Sequence, residues 1–380
     1  MKKIIPFFKT NFNFNEINAF KKIVKTGNFS MGQSTIKLEK MIAKKLKISE
    51  NCVALVSNCT AGLHLAMIVS NIKKNDEVLC SSLTFVADAS SVKYVDAKPR
   101  FIDITSIDNW NISTEDILKN ITKKTKAIIM THYAGYPCDI SKIKNIAKKN
   151  NLVLIEDACH TIFSKFKNKY MGTYGDLGLF SLYGNKNITT GEGGIVIGKK
   201  KLIDKIKILR NHAIDKSMLE RNSSKTPTYQ IHELGYNYRI DDIRSSIGIE
   251  QLKKIDNLNF LRKKVANNYK KLISKVVPSI KIPFKKFIGG KYSYHLFPIL
   301  LPYNLDRDRL IKFLNDCGVQ TSIHYKPIHK LKFYEKPNFK LKNLDKISDH
   351  ILSLPIHPKL SLIDQKYIIK NIKYFINKEK

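Results

Sequence analysis

The chain has 380 residues, 43% of them hydrophobic, and a formal charge of +35 from 67 basic and 32 acidic side chains. That length and apolar share suit a globular protein with one large domain and a smaller one. The basic excess is spread along the whole chain, with Lys199-Lys200-Lys201 among its longest runs, so it reads as compositional bias rather than a surface for nucleic acid or an anionic membrane, and no zinc-finger or RNA-binding signature accompanies it.

Cys52, Cys59, Cys80, Cys138, Cys159 and Cys317 form no CxxC pair and fit no zinc spacing. Several lie in apolar runs, as free thiols in a reducing compartment do. The apolar run after Met1 is short and broken by Pro6, unlike a signal peptide core. No stretch approaches the roughly 18 apolar residues of a membrane span. A cytoplasmic protein with no membrane, metal or nucleic-acid partner is expected.

In chain order, buried strands are predicted at 52–56, 77–80, 99–103, 127–130 and 152–156, each short, β-branched and apolar on both faces. Helical patterns at 60–70, 86–95, 114–122 and 140–150 lie between them. This alternation predicts an α/β domain with a mainly parallel sheet and helices on both faces. A further strand follows at 195–197. From about 240 a long helical stretch begins with Ile243, Ile247, Ile249, Leu252 and Ile255, and it could split at Asn257-Leu258-Asn259. A strand at 292–301 and helices at 306–316 and 363–376 predict a smaller α+β unit. The expected division is 1–250 for the large domain and 251–380 for the small one.

Four segments could carry chemistry. At Ser57-Asn58-Cys59-Thr60 a strand passes into a helix through small polar residues, leaving the first helical N–H groups for an anion. Taken alone, this segment is better explained by plain helix capping. Neither GxxxxGK[ST] nor GxGxxG occurs, so the usual nucleotide loops are excluded. Asp157 ends an apolar strand, where an unpaired carboxylate is expensive to bury. A protonated pyridine nitrogen would pair it, and a helix-capping role is the alternative. Lys186 lies five residues after Ser181 and is followed by Thr189-Thr190-Gly191-Glu192-Gly193-Gly194, whose glycines allow tight turns close to a ligand; a solvated loop lysine is the alternative. Phe85 follows a strand end, where it could stack on a ring or pack in the core. An amine, a ring acid and phosphate donors are what pyridoxal 5′-phosphate requires.

Together these segments resemble the DegT/DnrJ/EryC1/StrS family of pyridoxal-phosphate sugar aminotransferases, which have the aspartate aminotransferase fold (fold type I). The resemblance runs through Thr26–Gly32, Ser57–Ala66, Thr84–Ala87, Thr131–Asp139, Glu156–His160, Ser181–Gly194, Gly235-Tyr236-Asn237-Tyr238-Arg239 and His324–His329. It implies that Lys186 bonds the cofactor aldehyde and shuttles the proton, Asp157 partners the ring nitrogen and His160 lies on the O3′ side. It implies Phe85 as the stacking aromatic, Cys59, Thr60 and Ser181 as phosphate contacts, and Asn237 as a phosphate contact lent by a neighbouring subunit of a homodimer. Tyr183, Arg239, His324 and His329 would lie near the sugar nucleotide. Cys59 stands where many members carry glycine, and a backbone contact survives that change. One branch of the family has histidine for the lysine and dehydrates its substrate; Lys186 points instead to transamination from L-glutamate. The stretch Val92–Pro99 and the Gly184-Asn185-Lys186 context look most like perosamine-synthase-type enzymes acting on a GDP-linked 4-keto-6-deoxy sugar for surface polysaccharide or O-antigen. UDP- or dTDP-linked 3- or 4-keto sugars remain the alternatives, as do a non-transaminating pyridoxal enzyme and a binding or regulatory protein on the same fold.

Overall fold

The computed structural model describes residues 3–214, 228–285, 287, 291–335 and 338–379. The expected strands join one seven-stranded sheet, in the order Val53–Val56, Gly194–Gly198, Leu177–Ser181, Val153–Asp157, Thr125–Thr131, Glu77–Ser81 and Lys98–Ile102. Gly194–Gly198 runs antiparallel to both neighbours, and every other pairing is parallel. Val53–Val56 and Leu177–Ser181 are buried at every position, as strands covered on both faces must be.

Leu177–Ser181 is a strand that the pattern reading omits. Gly178 hides it, because a glycine weakens the strand signal. The residue is needed there: a Cβ at 178 would lie 1.9 Å from the Gly172 carbonyl oxygen. The helices Cys59–Val69, Ala87–Lys93, Thr114–Asn120 and Ile140–Lys149 occupy the predicted positions. Phe14–Thr26, Gln33–Leu46 and Lys200–Leu209 are further helices that were not anticipated, since lysines dilute their apolar spacing.

The helix Asp242–Val276 runs unbroken for 35 residues. It does not split at 257–259, because Leu258 is buried and the flanking Asn259 side chain is engaged, accepting from Asn187 Nδ2 at 2.7 Å and donating to the Ile162 carbonyl at 3.3 Å. The first two helices pack against it, as does the last, Leu362–Lys378. The seven-stranded sheet lies wholly before it, and the two-stranded sheet Phe297–Leu300 with Ile351–Leu354 lies wholly after it. We propose that a division near residue 250 separates these two sheets, with the long helix shared by both parts.

The strand expected at 292–301 is shorter, Phe297–Leu300. Tyr294 takes a left-handed backbone conformation, with φ 47°, so the strand begins only after it. The buried Arg262 guanidinium holds this segment through the carbonyls of Tyr294, His295 and Ile356. Ser293 and His295 are thereby turned toward the sheet's carboxyl edge.

Candidate active site

A cavity of about 950 Å³ opens where the parallel strands end, the usual place for a site in an α/β sheet. The loops after Val56, Ser81, Asp157 and Ser181 form its walls, and His324 and Tyr325 reach it from the C-terminal part.

One end of the cavity is built by the N-terminus of the helix Cys59–Val69. Asn58 caps it, its Oδ1 accepting from the Ala61 N–H at 2.8 Å. Among the described residues the N–H groups of Cys59 and Thr60 have no hydrogen-bond partner, so they and the helix dipole are directed at whatever anion occupies this end. Gly194 permits the close approach of its strand, since a Cβ there would lie 2.7 Å from the Asn58 carbonyl. Ser181 lines the same cavity, its hydroxyl oxygen accepting from the Tyr183 N–H at 3.2 Å.

Asp157 is the last residue of its strand and 6% exposed. Its Oδ1 accepts the Cys159 N–H at 2.9 Å. Beside it lies Asp88, a carboxyl group that the sequence reading passed over. Phe85 stands at the cavity wall with 55% exposure, its ring 6.0 Å from that of Tyr325. A large aromatic left this open has a face free for a planar partner.

Lys186 points its Nζ at the Nε2 of His295, 3.5 Å away. The Nδ1 of His295 lies 3.1 Å from Asn187 Oδ1, so the imidazole donates there and offers its Nε2 lone pair to the lysine. Asn187 is held in turn by the Asn259 side chain and the Ser293 carbonyl. Burial, then the Lys186 charge, pushes His295 well below the ordinary histidine range and keeps it neutral. His160 is similar. Its Nδ1 accepts the Ala134 N–H at 3.2 Å, so the proton sits on Nε2, 2.9 Å from the Tyr325 hydroxyl. Burial and Lys186 hold this ring, too, well below its usual range. His324 is pushed down to about 3 by the same two causes.

Cys59, Thr60, Phe85, Asp157, His160, Ser181, Tyr183, Lys186 and His324 therefore converge on one cavity. Three expected residues lie outside it. Asn237 is exposed and bridges to Asn211. Arg239 donates to Asn211 Oδ1 at 2.8 Å. His329 is buried between Ser82 Oγ at 2.7 Å and Asp345 Oδ1 at 3.0 Å. His295, Tyr325 and Asp88 are the residues that sequence reasoning missed. Only Asp88 left a signal, a carboxyl inside the apolar run Phe85-Val86-Ala87-Asp88-Ala89.

Residues 11–373 match the DegT/DnrJ/EryC1/StrS aminotransferase family, and the chain belongs to that family. It is therefore a pyridoxal-phosphate-dependent sugar aminotransferase with the mixed α/β fold of that class. It is 36% identical over 393 residues to the uncharacterized protein MJ1066 of Methanocaldococcus jannaschii, a match spanning 100% of this chain and 99% of that one. It is 35% identical over 321 residues to the GDP-perosamine synthase of Escherichia coli O157:H7, covering 84% of each. Among solved structures, the aminotransferase TlmJ from Streptoalloteichus hindustanus superposes with a TM-score of 0.92 at 25% identity over 100% of both chains.

Proposed function

We propose that this aminotransferase moves the amino group of L-glutamate to a nucleotide-linked 4-keto-6-deoxy sugar carried on GDP, in the cytoplasm, for a surface polysaccharide such as O-antigen. The observation that carries the reading of the site is the convergence of Lys186, Asp157 and the free Cys59 and Thr60 N–H groups on one cavity. The similarity to a GDP-perosamine synthase supports the choice of sugar.

The cavity's residues fit pyridoxal 5′-phosphate. The unpartnered N–H groups of Cys59 and Thr60, with the Ser181 hydroxyl, suit its phosphate; Asp157 suits its ring nitrogen, and Phe85 its ring face. When bound, the cofactor supplies an aldehyde to take up the amino group and a ring that accepts electron density. Lys186 would be its attachment point, and the free Lys186 amine would be the base and acid that moves the proton. Positioned transfer of this kind contributes typically about 10²–10⁴ in rate. His295 accepts a hydrogen bond from Lys186 Nζ without adding charge, because burial keeps the imidazole neutral. Asp157 would face the ring nitrogen as its acidic partner, and His160 presents its Nε2–H toward the Tyr325 hydroxyl on the cavity wall. Phe85 and Tyr183, both about half exposed, line the cavity.

A homodimer completes the proposal. Asn237 lies outside its own subunit's cavity and is exposed, as a residue lent to a second copy must be. Phe14, Ile17, Phe20 and Val24 form an exposed apolar stripe on the helix Phe14–Thr26, a surface suited to a second copy.

Two experiments test this. Borohydride reduction of the loaded enzyme followed by peptide mapping should place the pyridoxyl label on Lys186; a label on another lysine refutes the site. A panel of GDP-, UDP- and dTDP-linked 3- and 4-keto sugars with L-glutamate should show 2-oxoglutarate release with the GDP 4-keto sugar. Preference for a UDP or dTDP sugar rejects the substrate while leaving the site intact.

A further inference from the structure

Asp88 begins beside the site and is used by nothing described so far. It lies in the first turn of the helix Ala87–Lys93 and is 1% exposed. Its Oδ2 accepts two hydroxyl protons, from Thr84 Oγ1 at 3.0 Å and Thr131 Oγ1 at 2.6 Å. Its Oδ1 is buried and receives no donor among the described residues. Thr131, which donates to Asp88, is paired with Asp157 across neighbouring parallel strands, and this brings the Asp88 carboxyl beside that of Asp157. The titratable groups that act on Asp88, or feel it, are Asp157 from the neighbouring strand, Cys80 from the strand Glu77–Ser81 and Tyr325 from the C-terminal part. None of the three is a cation.

Two carboxyls facing each other in a dry site share a proton, because both cannot ionise there. The hydrogen bonds say which one keeps it. Asp157 lines the cavity, where a cationic ring can face it, and its Oδ1 already accepts a backbone N–H. Asp88 lies deeper, and its two hydroxyl donors both reach the same oxygen. That oxygen is the carbonyl of a carboxylic acid, and the donorless Oδ1 is its hydroxyl. An ionised Oδ1 would be a buried anionic oxygen with no partner except another carboxylate.

We propose that Asp88 is a positioning residue that stays protonated in the working enzyme and donates its Oδ1–H to Asp157, so that the pair holds a single negative charge on the cavity side. The inference rests on the reading of Asp157 as the ring acid. Burial, then the Asp157 charge, pushes the Asp88 carboxyl well above the usual carboxylate range, in the same direction. The donated hydrogen bond fixes the Asp157 side chain, so that the pair's one negative charge faces the place a ring nitrogen would take.

Infrared difference spectroscopy on the loaded enzyme tests the protonation directly. Wild type minus Asp88→Asn at neutral pH should show a carboxylic-acid C=O stretch that shifts in heavy water. The visible absorption of the bound cofactor tests the coupling. Asp88→Ala removes the donor and should move the pH midpoint of that absorption by about one unit, a tenfold change in proton affinity. It should lower kcat more than it changes KM, and Asp88→Asn, which keeps a donor facing Asp157, should restore most of the loss. Absence of the acid band overturns the proposal, and so does an Asp88→Ala variant that titrates with the wild-type midpoint. If the alanine variant does not fold, the asparagine difference spectrum decides alone. An Asp157→Asn variant with undiminished cofactor affinity and rate would reject the ring-acid reading, whereas the infrared band of Asp88 is read independently of it.

Discussion

Glu156 and Asp157 are adjacent on one strand, both acidic and both buried, and they do opposite things. Successive side chains of a strand point to opposite faces. Glu156 points into a nest of donors: it accepts from the N–H groups of Gly172 at 2.8 Å and Gly175 at 2.6 Å, from that of Tyr174, and from His132 Nε2 at 3.1 Å. Both its oxygens are occupied by its own chain. Asp157 points into the cavity, with one backbone donor and a second acid for company. A buried acid surrounded by its own donors is scaffolding. One with an oxygen left for a cavity is poised for a ligand.

Four substitutions sharpen or break this contrast. Lys186→Ala should have the largest effect, a loss of at least about 10²–10⁴ in 2-oxoglutarate release from glutamate. Asp157→Ala should cost about 10²-fold or more in rate or cofactor retention, from loss of one member of a buried pair, while the urea midpoint moves little. Glu156→Ala should invert that pattern. It strands several buried N–H groups at about 1–3 kcal/mol each, so the urea midpoint should fall sharply while folded enzyme still takes up cofactor. If Glu156→Ala is stable and Asp157→Ala unfolds, the contrast is wrong. Phe85→Ala is the mildest change. Stacking of this kind is worth about 0.5–1.5 kcal/mol, so cofactor affinity should drop about 2- to 13-fold in an equilibrium titration.

A pH measurement extends the contrast to the histidines. His357 is buried with neither ring nitrogen hydrogen-bonded among the described residues, and burial lowers its pKa to about 4. His324 is lowered to about 3. Between those values and the ordinary histidine pKa of about 6.5 the unfolded chain binds more protons than the folded one. Stability should therefore rise with pH through that window and fall as pH drops from about 6.5, by up to about 1.4 kcal/mol per unit for each ring. Replacing His357 by Phe should flatten the slope in urea titrations between pH 4 and 6.5.

The sheet was largely legible because a strand covered on both faces announces itself as a short apolar run, as at 52–56 and 152–156. Gly178 concealed Leu177–Ser181, whose role is to let the chain at Gly172 pass close by. Tyr294 concealed the start of the strand Phe297–Leu300, since nothing local forecasts a left-handed tyrosine held by Arg262 from a helix 32 residues earlier in the chain. Within the site, Lys186, Asp157, Phe85 and the Ser57–Thr60 turn were legible because each stands at a strand end beside small or glycine-rich residues. His295 was not, because its 109-residue separation from Lys186 carries no local pattern.

The amino-acid order by itself determined the alternating strands and helices and the residue types gathered at the strand ends, because those follow from periodicity and from which groups tolerate burial. Tertiary structure decided which groups face each other. It set neutral His295 against Lys186, locked His329 between Ser82 and Asp345, and brought Asp88 to Asp157. The reason is physical: whether a buried acid or imidazole is charged depends on its nearest partners in space, and those lie far apart along the chain.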